Sequence, residues 1–164
     1  MIPTYQSVLY ATNLETYSRK VFRHALGVAQ RYDAKVHVVH VIPEIEISHQ
    51  QYVAAMLGDE QFKELGENFN RELIGKLQGD LRGFAADELQ DHPEYLKAVA
   101  SIEVLRGHPA ERILQRADEL DADLLVFGTH AQKEGGFDFL GSVVKRVLRR
   151  TRRPVLVVPV RDEP

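Results

Sequence analysis

Short apolar runs alternate with longer amphipathic stretches along the chain. Ser7 to Thr12 is short, apolar and β-favouring, which predicts a buried strand. Tyr17, Val21, Ala25, Val28 and Ala29 then fall on one helical face, with Asn13 or Thr16 placed to cap it. Val36 to Ile42 is a second apolar run, stopped by Pro43. Gln50 to Leu57 reads as a short helix ended by Gly58. From Asp59, the expected N-cap, the helical period returns through Phe62, Leu65, Phe69, Leu73, Leu77, Leu81 and Phe84, and should end before Pro93. Ala100 to Leu105 predicts a third strand. Pro109 suits a helix first turn, and Ala110, Ile113, Leu114 and Ala117 supply an inward face as far as about Leu120. Ala122 to Phe127 predicts a fourth strand, stopped by Gly128, followed by a loop over 129–140. Gly141-Ser142 opens a last helix whose Val143, Val144, Val147 and Leu148 should face inward. Pro154 introduces a final strand, Val155 to Val158.

The resulting order is β-α-β-α-β-α-β-α-β. Continuously apolar strands separated by amphipathic helices indicate a parallel sheet covered on both faces. Right-handed crossovers make this a doubly wound α/β fold with five strands. The 164 residues fit a single domain over 1–164, with 44–100 forming an extended, largely helical segment between the second and third strands. In that segment Gly75, Gly79 and Gly83 recur every fourth residue. They read either as room for another backbone or as a plain surface stripe.

Composition narrows the chemistry. Lys and Arg number 21 against 24 Asp and Glu, a net charge of −3, which excludes polyanion binding by bulk charge. Cysteine is absent, which removes disulfides, thiolate metal sites and cysteine nucleophiles. The beginning of the chain lacks the basic and apolar regions of a secretory leader, and no run approaches eighteen apolar residues. The expectation is a cytoplasmic protein.

In an open α/β sheet, ligands sit beyond the carboxyl ends of the strands, at the switch point. Phe127-Gly128-Thr129-His130 followed by Gly141-Ser142 has the most physical content there. A helix N-terminus presents unpaired N–H groups and partial positive charge, glycine bares that backbone, and Ser142 adds a hydroxyl. Gly128 is expected to turn the chain sharply off the strand. Ordinary turn and cap chemistry accounts for the same residues. The pattern is not a P-loop, because Ser142-Val143 follows Gly136-x4-Gly141 where Lys-Ser/Thr is required, and no G-x-G-x-x-G follows a strand.

Taken together, Val8 to Asn13, Val39-His40-Val41, Gly107-His108-Pro109-Ala110, Asp123 to His130, Leu140 to Val143 and Arg153 to Pro159 resemble the universal stress protein family end to end, with 44–100 the loosest part. The resemblance implies the five-stranded parallel fold of that family, similar to adenine-nucleotide α-hydrolases, and a homodimer. It also implies ATP or another adenine nucleotide as ligand, accompanied by Mg²⁺, through G-x2-G-x9-G-[S/T]. This chain reads Gly128-x2-Ala131-x9-Gly141-Ser142, so the spacing is intact and Ala131 replaces the second glycine. The aspartate that typically ends the first strand is Asn13 here, which keeps a carbonyl acceptor and loses the charge. The implied nucleoside contacts are Ala11, Thr12, Asn13 and Val41. The implied contacts toward the phosphates are Phe127, Gly128, His130, Ala131, Gly141, Ser142 and Val143. The implied function is a dimeric, nucleotide-binding sensor or regulator in the stress response. The alternatives are a member that has lost the nucleotide and acts as a protein-interaction module, and a slow ATP hydrolase.

The apolar Val155, Leu156, Val157 and Val158 are an edge-strand liability that pairing with a second copy would remove. Lys145, Arg146, Arg149, Arg150, Arg152 and Arg153 lie in a stretch without an acid. They read either as a solvated helix face or as a docking patch for an acidic protein partner. No aromatic residues interleave with them, which argues against nucleic acid. His37 and His40 stand at odd spacing on one strand and point to opposite faces, so no metal site and no catalytic residue is expected.

Overall fold

The computed structural model describes residues 1–13, 18–43, 55–130 and 141–160. Strands β1 (Ser7–Ala11), β2 (Lys35–Ile42), β3 (Val99–Arg106), β4 (Leu124–His130) and β5 (Val155–Val160) form one parallel sheet in the order β3-β2-β1-β4-β5. Helices α1 (Ser18–Tyr32), α2 (Asp59–Glu88), α3 (Pro109–Glu119) and α4 (Ser142–Arg150) accompany it, with a 3₁₀ turn at Pro93–Ala98.

Strand alternation explains why both faces are apolar. Val8, Tyr10, Val36, Val38, Leu124 and Val126 point to one face, where Val21, Phe22, Ala25, Leu26 and Ala29 of α1 and Leu81 and Ala85 of α2 bury them. Phe22 is the hub of that core, its ring 5.8 Å from Tyr10 and 5.7 Å from Phe84. Leu9, Val39, Val41, Leu125 and Phe127 point the other way, against Ala110, Ile113 and Ala117 of α3 and Val144 and Val147 of α4.

Two helices stop in the same manner. Asp33 and Asp121 adopt φ of 52° and 48°, a left-handed turn that aspartate tolerates. Ala34 N–H then reaches the Ala29 carbonyl and Ala122 N–H the Ala117 carbonyl, both at 2.9 Å. Each turn delivers the chain into a strand, and the Asp123 carboxylate locks the amino end of β1 by accepting from the N–H of Gln6 (2.7 Å) and Ser7 (3.0 Å).

Four local expectations change. Gly58, at φ 81°, is the N-cap of α2 and Asp59 its first residue, because the turn needs a left-handed conformation that aspartate adopts less easily than glycine. Strand β4 does not stop at Gly128 but continues two residues further, since Gly128, Thr129 and His130 pair with Val158, Pro159 and Val160. Leu148 is 42% exposed rather than inward, because Val144 and Val147 already fill the narrow buried stripe of α4. Nothing lies within 4 Å of a Cβ placed on Gly75, Gly79 or Gly83, so among the described residues no backbone approaches that stripe. Thr16 and most of the expected helix over Gln50 to Leu57 lie outside the described residues.

The chain leaves β1 for β2 and β3, then returns past β1 to β4 and β5. The carboxyl ends of β1 and β4 are therefore the switch point.

Candidate functional site

At that switch point a cleft of about 580 Å³ opens. Nine of the expected site residues line it: Ala11, Thr12, Asn13, Val41, Phe127, Gly128, Gly141, Ser142 and Val143. His130 ends β4 beside it and pairs with Val160 in the sheet, while Ala131 lies outside the described residues. The walls also include Tyr10, His40, Pro109, Ile113 and Thr129, which the sequence reading does not assign.

The floor is rigid because β1 is tied down where it exits. Thr12 N–H donates to the Val39 carbonyl at 2.9 Å. His40 Nδ1 lies 2.8 Å from the Thr12 carbonyl. A carbonyl only accepts, so Nδ1 carries the proton and donates. Thr12 is 7% exposed and Asn13 is exposed, so the sheet edge offers a fixed backbone step followed by an accessible amide.

The opposite wall is the front of α4. Its first intrahelical bond runs from Lys145 N–H to the Gly141 carbonyl at 3.1 Å. The N–H groups of Ser142, Val143 and Val144 therefore have no acceptor within the helix. Gly141 caps this end with φ −61° and ψ 157°, a conformation open to any residue. What glycine contributes is space, since among the described residues nothing lies within 4 Å of a Cβ placed there. Among the described residues no side chain stands beside Gly141 to keep an anion from this helix end.

Gly128 acts differently from the expected turn. It sits within β4, and a Cβ on it would come 2.6 Å from Val21 Cγ2 and 3.7 Å from Val160 Cγ2. Its missing side chain lets α1 close against the strand.

The lining contains no Asp, Glu, Lys or Arg among the described residues, and no group of three or more His, Asp or Glu able to hold a metal occurs among them. Among the described residues the polarity of the wall is supplied by hydroxyls, one amide, one imidazole and the amides of α4. The charged groups lie elsewhere. Arg116 on α3 grips Glu103 with two bonds of 2.7 Å, and its Nη1 donates to Glu119 at 2.9 Å. These bonds raise the Arg116 pKa. Near them His37 Nδ1 lies 2.7 Å from Ser101 Oγ, and burial lowers the His37 pKa, opposed by the nearby Glu103 and reinforced by Arg116. In the basic stretch Arg153 bonds the Ala122 carbonyl and Asp118, and Arg150 pairs loosely with Glu111 at 3.6 Å. No helix among the described residues is long and apolar enough to cross a membrane.

The family model of the universal stress protein family matches residues 4–159. The universal stress protein MJ0577 of Methanocaldococcus jannaschii is 27% identical over 157 residues, 94% of each chain. Its solved structure superposes with a TM-score of 0.67 at 23% identity, covering 98% of this chain and 100% of that one. A universal stress protein in complex with cAMP matches at TM-score 0.53 and 22% identity, covering 96% and 98%. One from Archaeoglobus fulgidus in complex with dAMP matches at TM-score 0.54 and 21% identity, covering 95% and 99%. The family match spans nearly the whole chain and the solved neighbours share its five-stranded parallel fold, so this chain belongs to the universal stress protein family.

Proposed function

We propose that this protein binds an adenine nucleotide in the cleft between β1, β4 and the front of α4, and works as a binding protein whose occupancy governs its associations. Ala11, Thr12, Asn13 and Val41 surround the nucleoside. Phe127, Gly128, His130, Ala131, Gly141, Ser142 and Val143 surround the phosphates. The observation that carries this reading is the convergence of residues from three strand ends on one cleft of about 580 Å³, within the range of roughly 300–1,000 Å³ typical of small-molecule sites, with the amides of α4 bared at one end. Relatives of the same fold in complex with cAMP and dAMP lend support. A Mg²⁺ ion would be carried by the phosphates, since the described lining offers it no carboxylate.

Isothermal titration with AMP, ADP and ATP, with and without Mg²⁺, tests the reading. One site per chain with micromolar affinity is expected. Absence of heat at millimolar nucleotide overturns it in favour of an interaction module.

The same reading includes a homodimer in the cytoplasm, joined through Val155 to Val158. Strand β5 stands at the sheet edge, which supports this pairing. Sedimentation at tens of micromolar should give a dimer, and a monomer would contradict it.

A further inference from the structure

Strand β1 pairs with β2 only as far as Ala11, opposite Val39. Thr12, the next residue, still donates its N–H to the Val39 carbonyl, but its own carbonyl is held by a side chain, the His40 imidazole, with Nδ1 at 2.8 Å. A side-chain donor thus acts where the paired strand ends. His40 comes from β2, directly before Val41. One ring therefore links the two strand ends that the proposed nucleoside site needs together.

Two constraints meet in this bond. The Thr12–Asn13 peptide is planar, so a carbonyl held on one side fixes the direction of the Asn13 N–H and the position of its Cα. Val39 and Val41 are buried beneath α3 and α4, so His40, between them on the strand, faces the α1 side of the sheet. From there it lines the cleft and braces the exit of β1. Without its N–H a partly buried carbonyl would lose this donor, and Asn13 would shift relative to Val41.

We infer that His40 is a positioning residue for the nucleoside half of the ligand: its Nδ1–H holds the Thr12 carbonyl and so sets Asn13 against Val41. This role rests on the nucleotide reading above and deepens it. The front of α4, proposed for the phosphates, takes no part in the bond.

His40→Phe keeps a planar ring and removes the donor. Affinities for adenosine and for AMP should both fall about tenfold, leaving the ratio between them unchanged. His40→Asn removes the ring and restores an N–H donor the same number of bonds from the backbone, so it should bind both ligands within about threefold of the parent. In the parent in alkaline buffer, long-range ¹H–¹⁵N correlation should find the His40 ring proton on Nδ1, a readout that needs no variant. Unchanged affinities in His40→Phe overturn the inference and leave nucleotide binding intact. A loss confined to AMP does the same, as does a His40→Asn protein that binds as weakly as His40→Phe, which would assign the effect to the ring itself. A ring proton on Nε2 overturns it even where His40→Phe fails to fold. A parent protein that binds neither adenosine nor AMP overturns the nucleotide reading itself, and the inference with it.

Discussion

The backbone of Gly128 lies against Val21, with a Cβ at Gly128 placed only 2.6 Å from Val21 Cγ2. Helix α1 thereby rests on β4 at the rim of the cleft. The strand continues through the glycine to His130, and Thr129 lines the cleft.

Gly128→Ala should therefore overpack this contact and cost about 1–3 kcal/mol in urea unfolding. Val21→Ala alone leaves a cavity and also destabilises. Combined, the two should cost at least ~0.5 kcal/mol less than their sum, because the smaller residue at 21 accepts the new methyl. Additive losses would contradict the contact.

Gly141 has the opposite character. Its φ of −61° suits any residue and the space beside it is open among the described residues, so Gly141→Glu should leave the melting temperature within about 2 °C of the parent. The carboxylate would stand where the phosphate is held, and AMP affinity should fall at least ~50-fold in calorimetry. Retained affinity would remove the front of α4 from the site.

His37 should make stability pH-dependent. Burial lowers its folded pKa below 6.5, so the unfolded chain takes up the proton first as the solution is acidified. Its contribution is complete above the unfolded value and is lost as pH falls through the window below about 6.5. Urea unfolding from about pH 7.5 to about pH 5 should show the parent losing stability more steeply than His37→Gln. Identical slopes would contradict the assignment.

The order of elements was legible because parallel strands buried on both faces appear as unbroken apolar runs such as Val36 to Ile42. Most of the cleft was legible too, since the family spacing from Gly128 to Ser142 places residues at strand and helix ends. What escaped notice depends on packing between distant elements. A glycine after an apolar run looks like a stop, yet Gly128 is a concession to Val21 on α1. Reading it as a stop put Thr129 in a loop, although the two-residue period through Leu125 and Phe127 continues to it and brings it to the cleft wall. Leu148 kept the apolar period of α4 but lies beyond the stripe that Val144 and Val147 bury. Gly58 replaced Asp59 as cap for a reason visible only in its φ of 81°.

A crystal structure of the protein grown with excess AMP tests the central claim most directly. The account predicts the purine beside Asn13 and Val41, and the phosphate within hydrogen-bond distance of the N–H groups of Ser142 and Val143. A well-ordered cleft holding only solvent at that nucleotide concentration would contradict it.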